Sequence, residues 1–417
     1  VSFLELRTRN FLQARFKEYY LQESLEMPPD FQSREWGFIH FDNYPKVVMR
    51  RHKSFFSRAE LVDYIRNAVP AHVYHSAAIY ERPNAPTMKE KGWNGADLIF
   101  DLDADHLRNA PRSYKDMLDN VKDETLKLLN FMLNDFGFSE DSLSVVFSGG
   151  RGYHIHVRDP RILKLGRGER REIVDYLTGR GLDTDKFMSE REVRGDFGVE
   201  KAVVLSVPPQ NVPGWSKRIN SSMLSFVCYL RDLDEEEAIQ VLTSRKGIGK
   251  SGALKFYKNL KGEHVLDQIS KGNLSSFKGS SKIWKTLIKD YMDDESIQIN
   301  RDGDLKSSAF DLDQDRGETD EPVTTDVKRL IRFPLSLHGG SGFRVTPLGV
   351  DDLKSFQPLR DAVVFGNDPM EISLRTPFEI EMRGKSYRLR EGPVEVPRCV
   401  AVFLMARGLA ELGKALD

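Results

Sequence analysis

A short apolar run, Leu98-Ile-Phe100, stops on Asp101-Leu-Asp103, and this stretch constrains the chain more than any other. A run of this length reads as a strand, and residues two apart on a strand face the same way. Asp101 and Asp103 therefore share a side. Neighbouring carboxylates repel each other unless a cation sits between them. Oxygen donors of this kind suit Mg2+ or Mn2+, which combine one or two carboxylates with waters and phosphate oxygens. Capping of a following helix is the plainer reading of the pair. Asp105 reads as a solvated neighbour.

A second strand-like run, Leu143 to Phe147, leads into Ser148-Gly-Gly-Arg-Gly-Tyr-His154. Gly149, Gly150 and Gly152 let the backbone approach a phosphate and present N–H groups to it. Ser148 adds a hydroxyl, Arg151 a bidentate cation and His154 a donor. An ordinary hairpin would show the same glycines. His154 and His156 alternate and face one side, but no third zinc ligand is near. A third stretch, Thr324 to Gly342, holds Asp326, Arg332 and His338. Asp326 either caps a short helix or completes a three-carboxylate metal site.

Two other stretches are decoys. Ser244 to Ser251 ends like a Walker A loop, but it starts on Ser and follows a helix. Asp311 to Gly317 resembles a calcium loop, but Pro322 stands where the bidentate Glu belongs.

The 417 residues can bury a sizeable core, as one large domain with an accessory part or as two domains. Hydrophobic residues at 40% and charged residues at 30% fit a soluble globular protein. No apolar run approaches the ~20 residues that span a bilayer. Val1 to Tyr20 mixes charged residues among its apolar ones, unlike a signal peptide. Cys228 and Cys399 read as reduced thiols of a cytoplasmic protein. The net charge of -1 gives no bulk attraction to nucleic acid. Basic charge is local: Arg50 to Arg58, Arg161 to Arg171, and Arg245 to Lys261.

Along the chain, helices are expected over Val1 to Leu25, Ser57 to Ala68, Tyr114 to Phe136, Glu169 to Leu177 and Pro397 to Leu412. A capping box is expected at Ser57 and Glu60. Trp36 to Met49 reads as a hairpin. Strands are expected at Val73 to Tyr80, Tyr153 to Val157, Val203 to Val207, Phe343 to Pro347, Val363 to Phe365, Phe378 to Met382 and Tyr387 to Leu389. Residues 1–233 and 322–417 read as two parts of a catalytic domain. Residues 234–300 read as a helical accessory insertion, and 301–321 as an acidic connector.

Taken together, Arg34-Glu-Trp-Gly-Phe38, Arg51-His-Lys-Ser-Phe55, Asp101-Leu-Asp103, Ser148 to His154 and Arg332 to Gly342 resemble the catalytic (small) subunit family of archaeal and eukaryotic-type DNA primases, closest to the archaeal form. The resemblance implies an α/β primase-type catalytic fold: a mixed central sheet flanked by helices, plus a mostly helical insertion. It implies template-directed synthesis of short primers from nucleoside triphosphates on single-stranded DNA. It matches Asp101, Asp103 and Asp326 to the carboxylates that hold two Mg2+ or Mn2+ ions. It matches Ser148, Arg151, His154, Arg332, His338 and Arg51 to nucleotide-binding residues, with Glu35 beside Arg51. It also implies a large-subunit partner and no membrane. One departure is the absence of cysteine between Asp105 and Asp141, where many archaeal relatives carry a Cys/His zinc knob, so no zinc is expected. A phosphohydrolase using Asp101 as covalent nucleophile and a non-catalytic nucleic-acid-binding subunit are the competing readings.

Overall fold

The computed structural model describes residues 5–44, 46–106, 113–194, 201–275, 280–292, 310 and 312–413. The chain opens with α1 (Leu6–Gln22), β1 (Trp36–Ile39), β2 (Met49–Lys53), α2 (Arg58–Ala68), β3 (His72–Ser76), β4 (Ala78–Tyr80), β5 (Trp93–Ala96) and β6 (Leu98–Asp103). Next come α3 (Tyr114–Asn130), β7 (Leu143–Phe147), β8 (Gly152–Val157) and α4 (Arg167–Thr178). A middle stretch holds α5 (Thr184–Phe187), β9 (Ser189–Arg194), β10 (Lys201–Ser206), α6 (Trp215–Asp232), α7 (Glu235–Thr243), α8 (Lys250–Leu260), α9 (Val265–Ser270), α10 (Ser281–Met292) and α11 (Leu312–Asp315). The last part holds α12 (Glu321–Thr325), β11 (Leu330–Arg332), β12 (Thr346–Leu348), α13 (Asp352–Ser355), α14 (Pro358–Asp361) and β13 (Pro369–Leu374). β14 (Phe378–Met382), β15 (Lys385–Leu389), β16 (Gly392–Pro397), α15 (Arg398–Ala406) and β17 (Ala410–Leu412) complete it. Among the described residues, no helix is long and apolar enough to cross a membrane.

The described residues fall into two compact units. The first comprises Val1–Leu133, Phe138–Val174 and Glu318–Asp417; the second comprises Asn134–Gly137 and Asp175–Gly317. The α/β expectation holds. In the first unit eight strands form two four-stranded sheets, ordered β11-β3-β1-β2 and β12-β7-β8-β6, the others form the smaller sheets β16-β13-β17, β14-β15 and β4-β5, and every described pairing is antiparallel. β6 alternates: Leu98, Phe100 and Leu102 are buried, while Asp101 and Asp103 are partly open. α3 packs on β6 and β8 with Leu118, Val121 and Leu128 buried. Its start is capped by Ser113, whose side chain accepts the Asp116 N–H. Ile99 of β6, Ile331 of β11, Val323 of α12 and Ala77 form an apolar cluster that joins the two sheets.

In the second unit, α6 packs against α8 and α9, and α7 against α8. Asp234 and Glu237 form a complete capping box at α7. Because α6 shares this core, the helical unit reaches back to Asp175 instead of starting at Asp234. Part of the expected acidic connector, residues 301–309 and 311, lies outside the described residues, as do 276–279 and 293–300 of the expected insertion.

Several local expectations change in the structure. Ser57 caps α2, but Glu60 reaches back to the N–H of Phe56 instead of Ser57, so the box is incomplete. The strand expected over Val73 to Tyr80 breaks at Ala77, whose N–H is drawn off to Arg329 O. Val363 to Phe365 forms no strand. The closing helix stops at Ala406, where Gly408 turns the chain at φ +73, and Ala410–Leu412 joins a sheet instead. β13 and β16 were not expected; each alternates buried and exposed residues only weakly.

A buried ion network ties the first unit's sheets together. Asp97, just before β6, accepts Arg34 Nη2 at 3.1 and 3.0 Å and Arg158 Nε at 3.1 Å. Arg34 is almost fully buried and also donates to the carbonyls of Pro29, Ser76 and Ala77. Removing one partner of such a pair strands the other charge in low dielectric. Asp97→Ala should therefore lower unfolding stability by about 3–5 kcal/mol in urea denaturation. A change below ~1 kcal/mol would show that water or another group replaces the carboxylate.

Candidate active site

The register of β6 against β8 builds the site. Asp101 stands opposite His154, and Asp103 opposite Gly152. Asp101 and Asp103 line a cavity of about 630 Å3, together with Ser148, Arg151, His154, Arg332 and His338. Sequence reasoning singled out all seven. The cavity floor is apolar, with Ile99, Val323 and Ile331 on its wall.

Each polar side chain is held in a defined way. Asp101 Oδ1 lies 3.5 Å from His154 Nε2. Burial pushes His154 below the ordinary imidazole range, while Asp101 pulls it back up only in part. His154 is therefore neutral, and this contact is no full ion pair. Arg151 spans Asp103, at 3.7 Å, and Asp105. Ser148 Oγ accepts the Gly150 N–H at 3.3 Å.

Among the described residues, no carboxylate pairs with Arg332. Its Nη1 meets His72 Nδ1 at 2.6 Å, and its Cζ lies 5.1 Å from the Tyr74 ring centroid. Burial, reinforced by Arg332, pushes His72 well below the usual imidazole range. His72 is thus neutral, and its Nδ1 lone pair accepts from Arg332 and from the Gly339 N–H. His338 Nδ1 lies 3.1 Å from Ser341 Oγ, which donates onward to Gly149 O. Burial first, then Arg332, keeps His338 well below the usual range.

The glycines of the Ser148 turn do more packing than phosphate approach. A Cβ at Gly149 would lie 2.7 Å from His338 Cβ, and one at Gly150 would lie 3.1 Å from His338 Nε2. At Gly152 a Cβ would meet Leu102 O at 2.0 Å. Only a bare backbone lets β8 close on β6 there.

Two sequence-predicted residues stand elsewhere. Asp326 is exposed, and its Oδ1 accepts the Lys328 N–H. Its charge is felt by Tyr80 and Arg170, and it is not among the residues that line the cavity. The structure does not bring it to Asp101 and Asp103. It brings Asp320 instead: the Asp320 N–H donates to Asp101 O at 2.9 Å, and Thr319 Oγ1 reaches the same carbonyl. The available signal was Asp320 two places before Pro322, the pattern of a helix N-cap with Pro in the first turn. Arg51 is also outside the cavity lining. It pairs with buried Glu35, Nε to Oε1 at 3.0 Å and Nη2 to Oε2 at 3.3 Å. Tyr44, Tyr74, Arg329 and Arg407 line the cavity without having been singled out.

Asp101 and Asp103 offer only oxygen donors, each partly open to the cavity, which suits a hard divalent cation. Among the described residues, no three His, Cys, Asp or Glu side chains are gathered as a complete metal cage. A cation here would take its remaining ligands from water or substrate phosphate, as Mg2+ usually does.

A family model described as DNA primase small subunit matches residues 100–350. The chain is 53% identical over 414 residues to the DNA primase small subunit PriS of Methanothrix thermoacetophila, covering 98% of this chain and all of that relative. The chain belongs to the DNA primase small subunit family. It is also 45% identical to PriS of Methanococcoides burtonii, over 98% of this chain and 100% of that relative. With PriS of Methanosarcina barkeri the identity is 42%, over 98% of each. The cavity of this primase subunit lies within the stretch that the family model matches, except for Tyr44, Tyr74, Ile99 and Ala406 to Gly408.

Two predictions follow from this geometry. Gly152→Ala should cost roughly 1–3 kcal/mol or more, by forcing β8 away from β6, whereas Gly168→Ala, with open space around its Cβ, should be neutral in thermal melts. Burial opposes ionisation of Glu35, but Arg51, the His52 N–H and Lys91 outweigh it and hold the carboxyl below its ordinary range. A depressed carboxyl stabilises the fold above its unfolded pKa of about 4.3, and that contribution is lost as pH falls through the folded value. Glu35→Gln should be less stable than wild type at pH 7, with the difference closing below about pH 4 in urea melts.

Proposed function

We propose that the chain makes short primers by joining nucleoside triphosphates along a single-stranded DNA template, in a two-metal nucleotidyl transfer. The observation that carries this reading is the gathering of two carboxylates with guanidinium and imidazole groups around one cavity. Family membership supports the primase assignment over a phosphohydrolase or a purely binding subunit.

Asp101 and Asp103 would hold the divalent cations, and we take Asp320 instead of Asp326 as the third carboxylate, because its backbone is tethered to Asp101. When bound, Mg2+ or Mn2+ lowers the pKa of the primer 3'-hydroxyl and neutralises charge on the leaving pyrophosphate. Arg332 and Arg151 bind triphosphate oxygens, and Ser148 Oγ adds a donor. Arg332 enters this task with its charge uncompensated, since its partners are a neutral imidazole and a ring face. Burial first, then Arg332, lowers the proton affinity of His338, and the negative charge of a bound triphosphate would offset this and favour proton uptake.

The small-subunit name of the relatives implies a larger partner, and we expect this chain to work with one. We assign catalysis to the first unit, with the second, mostly helical unit as an accessory.

Primer synthesis on single-stranded DNA tests the site. Asp101→Ala, Asp103→Ala and Asp320→Ala should each lower the rate by roughly 10²- to 10³-fold or more. Asp326→Ala should stay within about twofold of wild type, as surface substitutions do. Wild-type rates for Asp320→Ala together with loss for Asp326→Ala would return the third position to Asp326. Calorimetry of ATP binding in buffers of different ionisation enthalpy should show proton uptake between the lowered free-state pKa of His338 and its raised bound-state value. No uptake would mean that His338 stays neutral against the triphosphate.

A further inference from the structure

Arg407 is a cavity-lining cation that neither the sequence motifs nor the family-model match at residues 100–350 accounts for. It follows directly on α15, with its N–H bonded to Phe403 O at 3.1 Å. Its Cζ lies 4.4 Å from the Tyr114 ring centroid and 4.7 Å from that of Phe403. Both rings are fixed. Tyr114 donates its hydroxyl to Gly150 O in the Ser148 turn, and Phe403 stacks on Phe343 with centroids 5.2 Å apart. No described carboxylate pairs with Arg407, and its Nε is buried without a hydrogen-bond partner. Arg151, by contrast, pairs with both Asp103 and Asp105.

A guanidinium held on ring faces is oriented without being neutralised. Its charge therefore remains available to an anion entering the cavity. That charge already reaches His338 and Tyr44, whose proton affinities it lowers. An arginine that served only to staple α15 to α3 would gain nothing from lining the cavity without a paired carboxylate.

We propose that Arg407 binds phosphate oxygens of the incoming nucleotide's triphosphate. This rests on the primase reading of the cavity. The triphosphate is favoured over the single charge of a primer phosphodiester because Arg407 and Arg332 line one cavity and both act on His338. Two aromatic-seated cations together suit the most highly charged part of the substrate.

The test is equilibrium binding of ATP, of AMP and of a primer–template duplex in Ca2+, to the full chain and to Arg407→Gln and Arg407→Lys. Arg407→Gln should weaken ATP binding by ~10- to 100-fold, with AMP and duplex affinities little changed. Arg407→Lys should recover part of the loss, which separates charge from packing; no recovery in a variant that melts normally would overturn the charge role. Equal ATP affinity in wild type and Arg407→Gln would overturn the assignment while leaving the reading of the cavity intact. A loss confined to the duplex would overturn the triphosphate assignment in favour of the primer backbone. Absence of ATP binding in wild type would overturn the reading of the cavity, and the assignment with it.

Discussion

The pairing of β6 with β8 is the constraint on which the rest of the site depends. Six consecutive residue pairs lock the register from Leu98 opposite Val157 to Asp103 opposite Gly152. A slip of one residue would turn Asp101 and Asp103 toward α3 and bring Leu102 to the cavity. That alternative buries two carboxylates against apolar side chains, a penalty of several kcal/mol per ion. Hydrophobic alternation and the placement of charge thus enforce one register. Gly152 permits the close approach that this register requires.

From that wall outward, the structure treats charge in two different ways. Around Asp97 the charges are closed on one another: Arg34 and Arg158 spend their donors on a buried carboxylate and on carbonyls, and the result is rigidity. Around the cavity Arg151 pairs with Asp103 and Asp105, but two other cations are seated on groups that carry no charge. Neutral His72 and the Tyr74 ring hold Arg332, and the Tyr114 and Phe403 rings hold Arg407. His338 is aligned by a serine hydroxyl that is itself anchored to the Gly149 carbonyl. Such an arrangement fixes direction in advance and leaves the electrostatic work for the moment when phosphate arrives.

The legible part of the site is the local part. Asp101, Asp103 and the Ser148 turn follow from strand alternation and glycine punctuation within a few residues, and Arg332 and His338 sit in one short stretch. Asp320 was hidden because an acidic run looks like a solvated connector; its position depends on one backbone hydrogen bond to Asp101, far away in sequence. Arg407 was hidden because the apolar pattern of α15 continues past Ala406, and nothing local says that Gly408 turns the chain toward a sheet. Arg51 has a distinctive motif, and in the structure it pairs with buried Glu35 outside the cavity lining, a partner the motif does not announce. The helical unit was legible in kind, while its start depended on α6 packing against α8 and α9.

The cavity draws its side chains from Tyr44 at one end of the chain to Arg407 near the other. During synthesis on a ribosome, the acidic strand, the serine turn and the His338 loop emerge long before the C-terminal helix that completes the wall. A chain cut before α15 would keep Asp101, Asp103, Ser148, Arg332 and His338 but lose Ala406, Arg407 and Gly408 from the lining. The wall of this cavity is therefore closed last, by the helix that leaves the ribosome last.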